Sequence, residues 1–435
     1  MDIFSYLINH RSSLYVSVFF ERYISKGLNT GGHPFQVNFM YLTRKQEHMM
    51  AGEEGDAVRK SMELIVGLGE VFGAEKLVPV ESAHISGVSY KNLGDAGTEW
   101  LEEQAAMGAK CRIRATLNPA GMDMEKWREM NVPEEFAVGQ QRILKAFTDM
   151  GVEPTCTCTP YLIGHVPRRG SQVAWAESNA VCFVNSVLGA RTNRESGPTT
   201  LASAVTGFAA LYEYRIVENR KPAKIVDVDV ELGSRLDYSA LGYVTGKLLK
   251  SSVPYLRNMG KPDVESMKTF GAACATSGGI ALWHGEGVTP EAEWASQYLD
   301  GLESVTVTRK DLEEAKNRLM SDPDNPTYCI GCPHCSLKEL EETAELVRGK
   351  ELNGRLWVFT SRGVYAEAEK AGLVKVIEDA GGRVYRDTCM VVAPLHEMGW
   401  HGVGTNSMKG GHYSVSHGFP TKIATVGKLI EEASR

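Results

Sequence analysis

Two periods of hydrophobicity alternate along the chain. Residues 56–72 carry apolar side chains at helical spacing and are stopped by Gly73, and just upstream Thr43 with Gln46 makes a capping pair for a helix reaching toward Met50. The apolar run 77–80 then reads as a strand, and the polar, glycine-containing string Ser82-Ala83-His84-Ile85-Ser86-Gly87-Val88-Ser89-Tyr90 after it reads as a loop. The grammar repeats. A strand over 111–116 runs into Leu117-Asn118-Pro119-Ala120-Gly121, and a helix over 133–150 ends at Gly151 and leads to a strand over 152–158. Toward the end of the chain, a strand over 356–360 runs into Ser361-Arg362 and a helix over 364–371. A strand near 383–385 comes next and ends in Asp387-Thr388-Cys389, and a final strand and helix cover 422–433. Between these regions lies a helical middle at 173–188, 198–212 and 238–249. The alternation predicts an α/β fold of parallel sheets flanked by helices.

Asp322-Pro323-Asp324-Asn325-Pro326 is the best hinge, since two prolines and capping residues favour a turn. It divides a first α/β part with the helical middle, 40–320, from a second α/β part, 321–435. Residues 1–39 show no link to the rest of the chain, and a Met stands at position 40; the expectation is an N-terminal extension, a start-site artefact. In parallel α/β sheets, ligands sit beyond the carboxyl ends of the strands, where loops converge and helix N-termini point their amides inward. The polar residues named above therefore fall where such a fold places a site.

Composition narrows the chemistry. With 43% hydrophobic residues the chain can bury a large core, and a net charge of −7 gives no footprint for a phosphate backbone, which argues against nucleic-acid binding. The longest apolar candidate, Ser12 to Phe20, falls far short of the ~20 residues that a membrane span requires and lacks a secretory start, so the chain reads as cytoplasmic. Nine cysteines cannot all pair within one chain and are read as reduced.

Cys329, Cys332 and Cys335 form C-x2-C-x2-C, a spacing that lets thiolates converge on a metal. Zinc would want a fourth ligand, and His334 is strained for that role by its adjacency to Cys335; Lys338-Glu339 breaks the ferredoxin continuation. Metal type stays open on spacing alone, and a zinc-stabilised binding or structural subunit is the reading from another functional class. Cys158 and Cys389 each stand where a strand ends. Joined by one member of the triplet, they make three ligands from three distant segments, and three cysteines on a four-iron cluster leave one iron open for dehydration chemistry. Cys111, Cys182 and Cys274 sit in apolar contexts and read as structural. His84, His165, His284, His334, His401 and His412 are isolated from one another in sequence and read as satisfied or solvated.

The cysteines lie within longer strings: Cys158-Thr159-Pro160-Tyr161-Leu162, Ala174-Trp175-Ala176-Glu177-Ser178-Asn179-Ala180-Val181, Asn185-Ser186-Val187-Leu188-Gly189-Ala190-Arg191-Thr192-Asn193-Arg194, Ser277-Gly278-Gly279-Ile280-Ala281-Leu282-Trp283-His284, Gly331-Cys332-Pro333-His334 and Asp387-Thr388-Cys389. In this order, from about Met40 to the end, the chain resembles the aconitase X family of the aconitase superfamily of iron–sulfur hydro-lyases. The resemblance implies an aconitase-like catalytic lobe and a [4Fe-4S] cluster on Cys158, Cys332 and Cys389, with two triplet members binding as the alternative. It also implies that the swivelling domain carrying the catalytic base is absent from this chain and supplied by a small partner subunit in a heterodimer. The stretch Val152-Glu153-Pro154-Thr155-Cys156-Thr157-Cys158 resembles the archaeal members that dehydrate (R)-5-phosphomevalonate in the mevalonate route to isoprenoids; cis-3-hydroxy-L-proline is the alternative substrate.

Substrate contacts are expected at Gly87, Val88 and Ser89, whose loop can cradle an anion, at Asn118 with Pro119, and at Glu177 with Ser178. An ordinary turn, a helix cap and a solvated helix face are the bland readings of the three. Arg362, with Arg191 and Arg194, has the guanidinium shape for a carboxylate or phosphate, and Lys409 is a further candidate for phosphate or the departing hydroxyl.

Overall fold

Capping chemistry sets the first described helix where the pattern predicts it. In the computed structural model, which describes residues 40–434, Thr43 and Gln46 cap Arg44–Met50 reciprocally, and the amphipathic helix Asp56–Val71 packs its buried stripe of Val58, Met62, Ile65 and Val66 into the first core. The expectation about residues 1–39 lies outside the described residues.

Three parallel sheets carry the architecture. A three-stranded sheet has Ser82–Ile85 at its centre, flanked by Arg114–Leu117 and Ala174–Trp175. A four-stranded sheet runs His284–Gly285, Pro254–Arg257, Lys224–Asp229, Ser304–Thr308. A five-stranded sheet runs Arg383–Arg386, Leu356–Thr360, Thr327–Cys335, Val403–Thr405, Thr421–Ile423. One short antiparallel pair, Leu77–Pro79 with Phe208–Ala210, accompanies them. The middle holds the helices Ser178–Ser186, Gly197–Thr206 and Arg235–Leu249, but two stretches expected to be helical, Ala174–Trp175 and Phe208–Ala210, are strands.

Two further expectations are corrected. The string beginning at Ser82 is not loop throughout: its first four residues are the central strand of a sheet. Ser82 and His84 are polar yet buried, and His84 Nδ1 meets the Thr116 hydroxyl at 2.8 Å on the neighbouring strand, so a hydrogen bond replaces the apolar alternation that marks most strands. Residues 152–158 form no strand. Apart from one bridge between Thr116 and Glu153, the segment is irregular, and Cys156 takes a left-handed φ of 43°.

The strand Thr327–Cys335 departs from its neighbour in an informative way. It pairs regularly with Leu356–Thr360 as far as Ile330 opposite Val358, and then Cys335 stands opposite Thr360, so five steps on one strand match two on the other. The four residues between, 331–334, face the single Phe359, and they bulge out and carry Gly331-Cys332-Pro333-His334 off the sheet. Gly331 makes this possible with φ +106°, where a Cβ would collide with the Phe359 carbonyl oxygen. Gly331→Ala is therefore expected to destabilise the chain by about 2 kcal/mol or more in urea titration of the metal-free protein; an unchanged midpoint would count against the bulge.

Candidate functional site

The carboxyl ends of the three- and five-stranded sheets open on one cavity of about 310 Å³. Gly87, Val88 and Ser89 reach it beyond Ser82–Ile85, Asn118 and Pro119 beyond Arg114–Leu117, and Glu177 and Ser178 beyond Ala174–Trp175. From the other sheet come Cys332 on the bulge, Cys389 beyond Arg383–Arg386, and Lys409 on the helix Met408–Ser416 that comes after Val403–Thr405. Cys158 enters on the irregular segment. Hydrogen bonds stitch the two sheets together at this point: the Ala120 amide donates to the Asp387 carbonyl at 2.8 Å, and the Ser89 hydroxyl donates to the Val392 carbonyl at 2.8 Å.

At the rim, Ser89 caps the helix Tyr90–Ala106 and commits its proton to Val392, so the loop offers a ligand its amides rather than that hydroxyl. Gly87 takes φ +75°, which an amide cradle requires. Asn118 Oδ1 is buried without a hydrogen-bond partner among the described residues.

Glu177 and Lys409 form a buried ion pair at 2.6 Å. Glu177 is also the N-cap of Ser178–Ser186, accepting from the Ala180 amide at 2.6 Å, while Lys409 donates to the Ser178 hydroxyl at 3.2 Å. Burial pulls the Lys409 ammonium down, but the Glu177 carboxylate and the nearby thiols outweigh it and hold it above its ordinary range. The cation is therefore permanent at neutral pH.

All three cysteines are buried, and none of the nine cysteines is disulfide-bonded. Burial raises their thiols, that of Cys332 to about 12, so free thiolates there need compensation. The surroundings supply it: Lys409 lowers all three, the His334 amide donates to Cys158 Sγ at 3.3 Å, and the amides of Val391 and Val392 favour the Cys389 thiolate. Three cysteine sulfurs are the donors that an iron–sulfur cluster takes. Thiolates on one tetrahedral ion stand about 3.8 Å apart, from bonds of about 2.3 Å, and no three His, Cys, Asp or Glu among the described residues close on such a point. Neither Cys329 nor Cys335 lines the cavity: Cys329 packs in the core that also holds Cys332, Cys389, Trp357 and Phe359, and Cys335 packs in another with Leu340 and Val358.

Arg362 is not among the residues lining the cavity: its guanidinium is taken by the Asp387 carboxylate, with Nε at 3.1 Å, and by Glu125 at 3.0 Å. Arg194 is likewise engaged, by the Gly279 carbonyl and Glu213. Cys182 and Cys274 pack in the core around Phe270 and Trp283, and Cys111 is only partly buried. The histidines are less isolated than their spacing suggests. His84 and His165 share the Thr116 hydroxyl, at 2.8 and 3.0 Å, and burial holds both down to about 3. Lys91, Tyr413 and His417 line the cavity and were not singled out from the sequence. Lys91 had a signal, since it stands two residues beyond the expected anion loop, in the first turn of the helix that Ser89 caps.

Comparison with known proteins places this arrangement. The models for the aconitase X first, second and third domains match residues 39–217, 222–317 and 327–435. The chain is 50% identical to the phosphomevalonate dehydratase large subunit of Methanothermobacter thermautotrophicus, over 87% of this chain and 94% of that protein. It is 35% identical to cis-3-hydroxy-L-proline dehydratase of Pseudomonas aeruginosa, over 84% of this chain and 65% of that one. The crystal structure of Thermococcus kodakaraensis aconitase X in its holo-form superposes with a TM-score of 0.85 at 43% identity, covering 90% of this chain and 100% of that one.

Lys409→Met leaves the Glu177 carboxylate buried and unpaired, and is expected to cost about 3 kcal/mol of stability. Most of that loss should return in Lys409→Met/Glu177→Gln; equal urea midpoints for wild type and Lys409→Met would contradict the pairing.

Proposed function

The chain belongs to the aconitase X family, and we propose that it is the large subunit of a hydro-lyase that removes water from (R)-5-phosphomevalonate to give trans-anhydromevalonate 5-phosphate. The observation that carries this reading is the convergence of Cys158, Cys332 and Cys389 on one cavity that also presents Lys409, Lys91 and the Gly87-Val88-Ser89 amides. The relatives add support. Those matched over nearly their whole length, at 50% and 47% identity, are named phosphomevalonate dehydratase large subunit, while the hydroxyproline dehydratases are matched at 34–35% identity over 65% of their length.

In this reading Cys158, Cys332 and Cys389 hold a [4Fe-4S] cluster. When bound on three thiolates, it supplies one Lewis-acidic iron that has no protein ligand. The chain's own groups do the rest of the positioning. Lys409, pinned by Glu177 and Ser178, sets a fixed positive charge beside the cysteines, where negative charge develops as hydroxide leaves the tertiary carbon. Asn118 Oδ1 accepts from a substrate hydroxyl, and the loop amides receive an anionic group. Lys91 gives one hydrogen bond to the Ala393 carbonyl at 3.2 Å and keeps two donors and its charge for phosphate.

The proton lost from the carbon beside the carboxylate needs a base. Among the cavity's acidic groups, Glu177 is committed to Lys409 and to a helix cap, so the reading assigns the base to a small partner subunit, in keeping with relatives named "large subunit". This chain alone should turn over poorly.

Three outcomes test the proposal. Cys158→Ser, Cys332→Ser and Cys389→Ser should each abolish the visible sulfur-to-iron absorbance of anaerobically prepared protein, while Cys329→Ser and Cys335→Ser keep it; stoichiometric zinc in a colourless wild type would sink the cluster. Full dehydration of (R)-5-phosphomevalonate by this chain without a small subunit would refute the shared site, and turnover of cis-3-hydroxy-L-proline in its place would refute the substrate. In the assembled enzyme, Lys91→Ala should raise KM for the phosphorylated substrate about tenfold or more, the worth of a charge-assisted hydrogen bond, with kcat little changed; an unchanged KM removes Lys91 from the phosphate site.

A further inference from the structure

Each of the three cysteines arrives on a different segment, and these segments are irregular where the cysteines stand. One side chain touches all of them. His334 is fully buried on the bulge, two residues beyond Cys332. Its ring Nε2 lies 2.8 Å from the Thr388 carbonyl, next to Cys389, and its Nδ1 lies 3.1 Å from the Thr157 hydroxyl, next to Cys158. Its backbone amide donates to Cys158 Sγ itself at 3.3 Å, and its carbonyl accepts from the buried Lys268 ammonium at 2.8 Å.

These contacts fix the direction of every proton. A carbonyl only accepts, so Nε2 carries the hydrogen toward Thr388. In the neutral ring, Nδ1 is then an acceptor and takes the Thr157 hydroxyl proton. Thr157 Oγ in turn accepts from the Thr159 amide at 3.1 Å and from the Thr159 hydroxyl at 3.1 Å. Every polar group of His334 is thus used, and one tautomer satisfies all of them.

We infer that His334 is the positioning residue of the site: by bridging Thr157 and Thr388 from the bulge, it fixes the separation of Cys158, Cys332 and Cys389 before any cluster binds. The inference rests on the cluster reading above for its consequence, and on the apo geometry alone for the bridge. Partners of this kind, one bond removed from the ligands, commonly control how tightly a metal group is held.

The two ring bonds can be cut separately. His334→Asn keeps an acceptor near the Nδ1 position and loses the Thr388 bond, His334→Gln keeps a donor near the Nε2 position and loses the Thr157 bond, and Thr157→Val removes the same bond from the other side. In anaerobically reconstituted protein, each variant should lose its cluster to a chelator about tenfold faster or more, with a shifted electron paramagnetic resonance signal of the reduced cluster. Thr157→Val also removes the acceptor of the Thr159 amide and hydroxyl, so adding His334→Gln to it should be no worse than Thr157→Val alone. A site in which His334 merely fills space would change the melting temperature and leave the resonance signal at wild type; that result, or wild-type chelator kinetics in all three variants, overturns the inference. Should the wild type bind no iron, the cluster reading falls instead, and the bridge is judged on the apo protein. There, amide exchange around 157–159 and 388–392 should quicken in the variants, and unchanged exchange overturns it.

Discussion

The carboxyl ends of two parallel sheets meet at one cavity, and every functional group of the site but Cys158, which enters on an irregular segment, is there because of it. A parallel strand delivers its loop to the same edge as its neighbours, and helix N-termini and free amides collect at that edge. Here the three-stranded sheet contributes the amide loop, Asn118 and Glu177, and the five-stranded sheet contributes Cys332, Cys389 and Lys409. No single segment holds the site. Residues 232 positions apart in the chain close an ion pair across it.

Burial then dictates how those groups must be paired. A carboxylate and an ammonium taken out of water are tolerable only together and with their remaining hydrogen-bonding capacity satisfied. Glu177 and Lys409 meet that condition through a helix cap and the Ser178 hydroxyl. The same logic extends outward. Arg362 is held by Asp387 and Glu125, and the fully buried Lys268 by Glu339 and the His334 carbonyl, so the cysteine-bearing segments rest on satisfied polar networks. Asn118, whose Oδ1 finds no partner among the described residues, lines the cavity.

Much of this was legible from the chain alone, and the exceptions share a cause. Local signals held: the Thr43–Gln46 capping box, the stripe of 56–72 and the strand–turn–helix grammar near 356–371 all depend on residues close in sequence. The cysteines of the cavity were found because they stand inside distinctive strings. What could not be read depended on partners from elsewhere. Ser82–Ile85 passes for a loop until Thr116 on the next strand accounts for His84. Arg362 has the chemistry of an anion binder, and only the fold shows Asp387 and Glu125 already occupying it. The surplus residues that lift Cys332 from its sheet are visible only as a mismatch between two strands, and the bridging role of His334 only once Thr157 and Thr388 flank it.

Three cysteines from three segments are proposed to hold a cluster with one iron left for the substrate. Mössbauer spectroscopy of the assembled, iron-enriched enzyme tests it most directly. The spectrum should be that of a four-iron cluster in which one iron alone changes its signal when (R)-5-phosphomevalonate is added. Absence of cluster iron, or a cluster spectrum indifferent to the substrate, would contradict it.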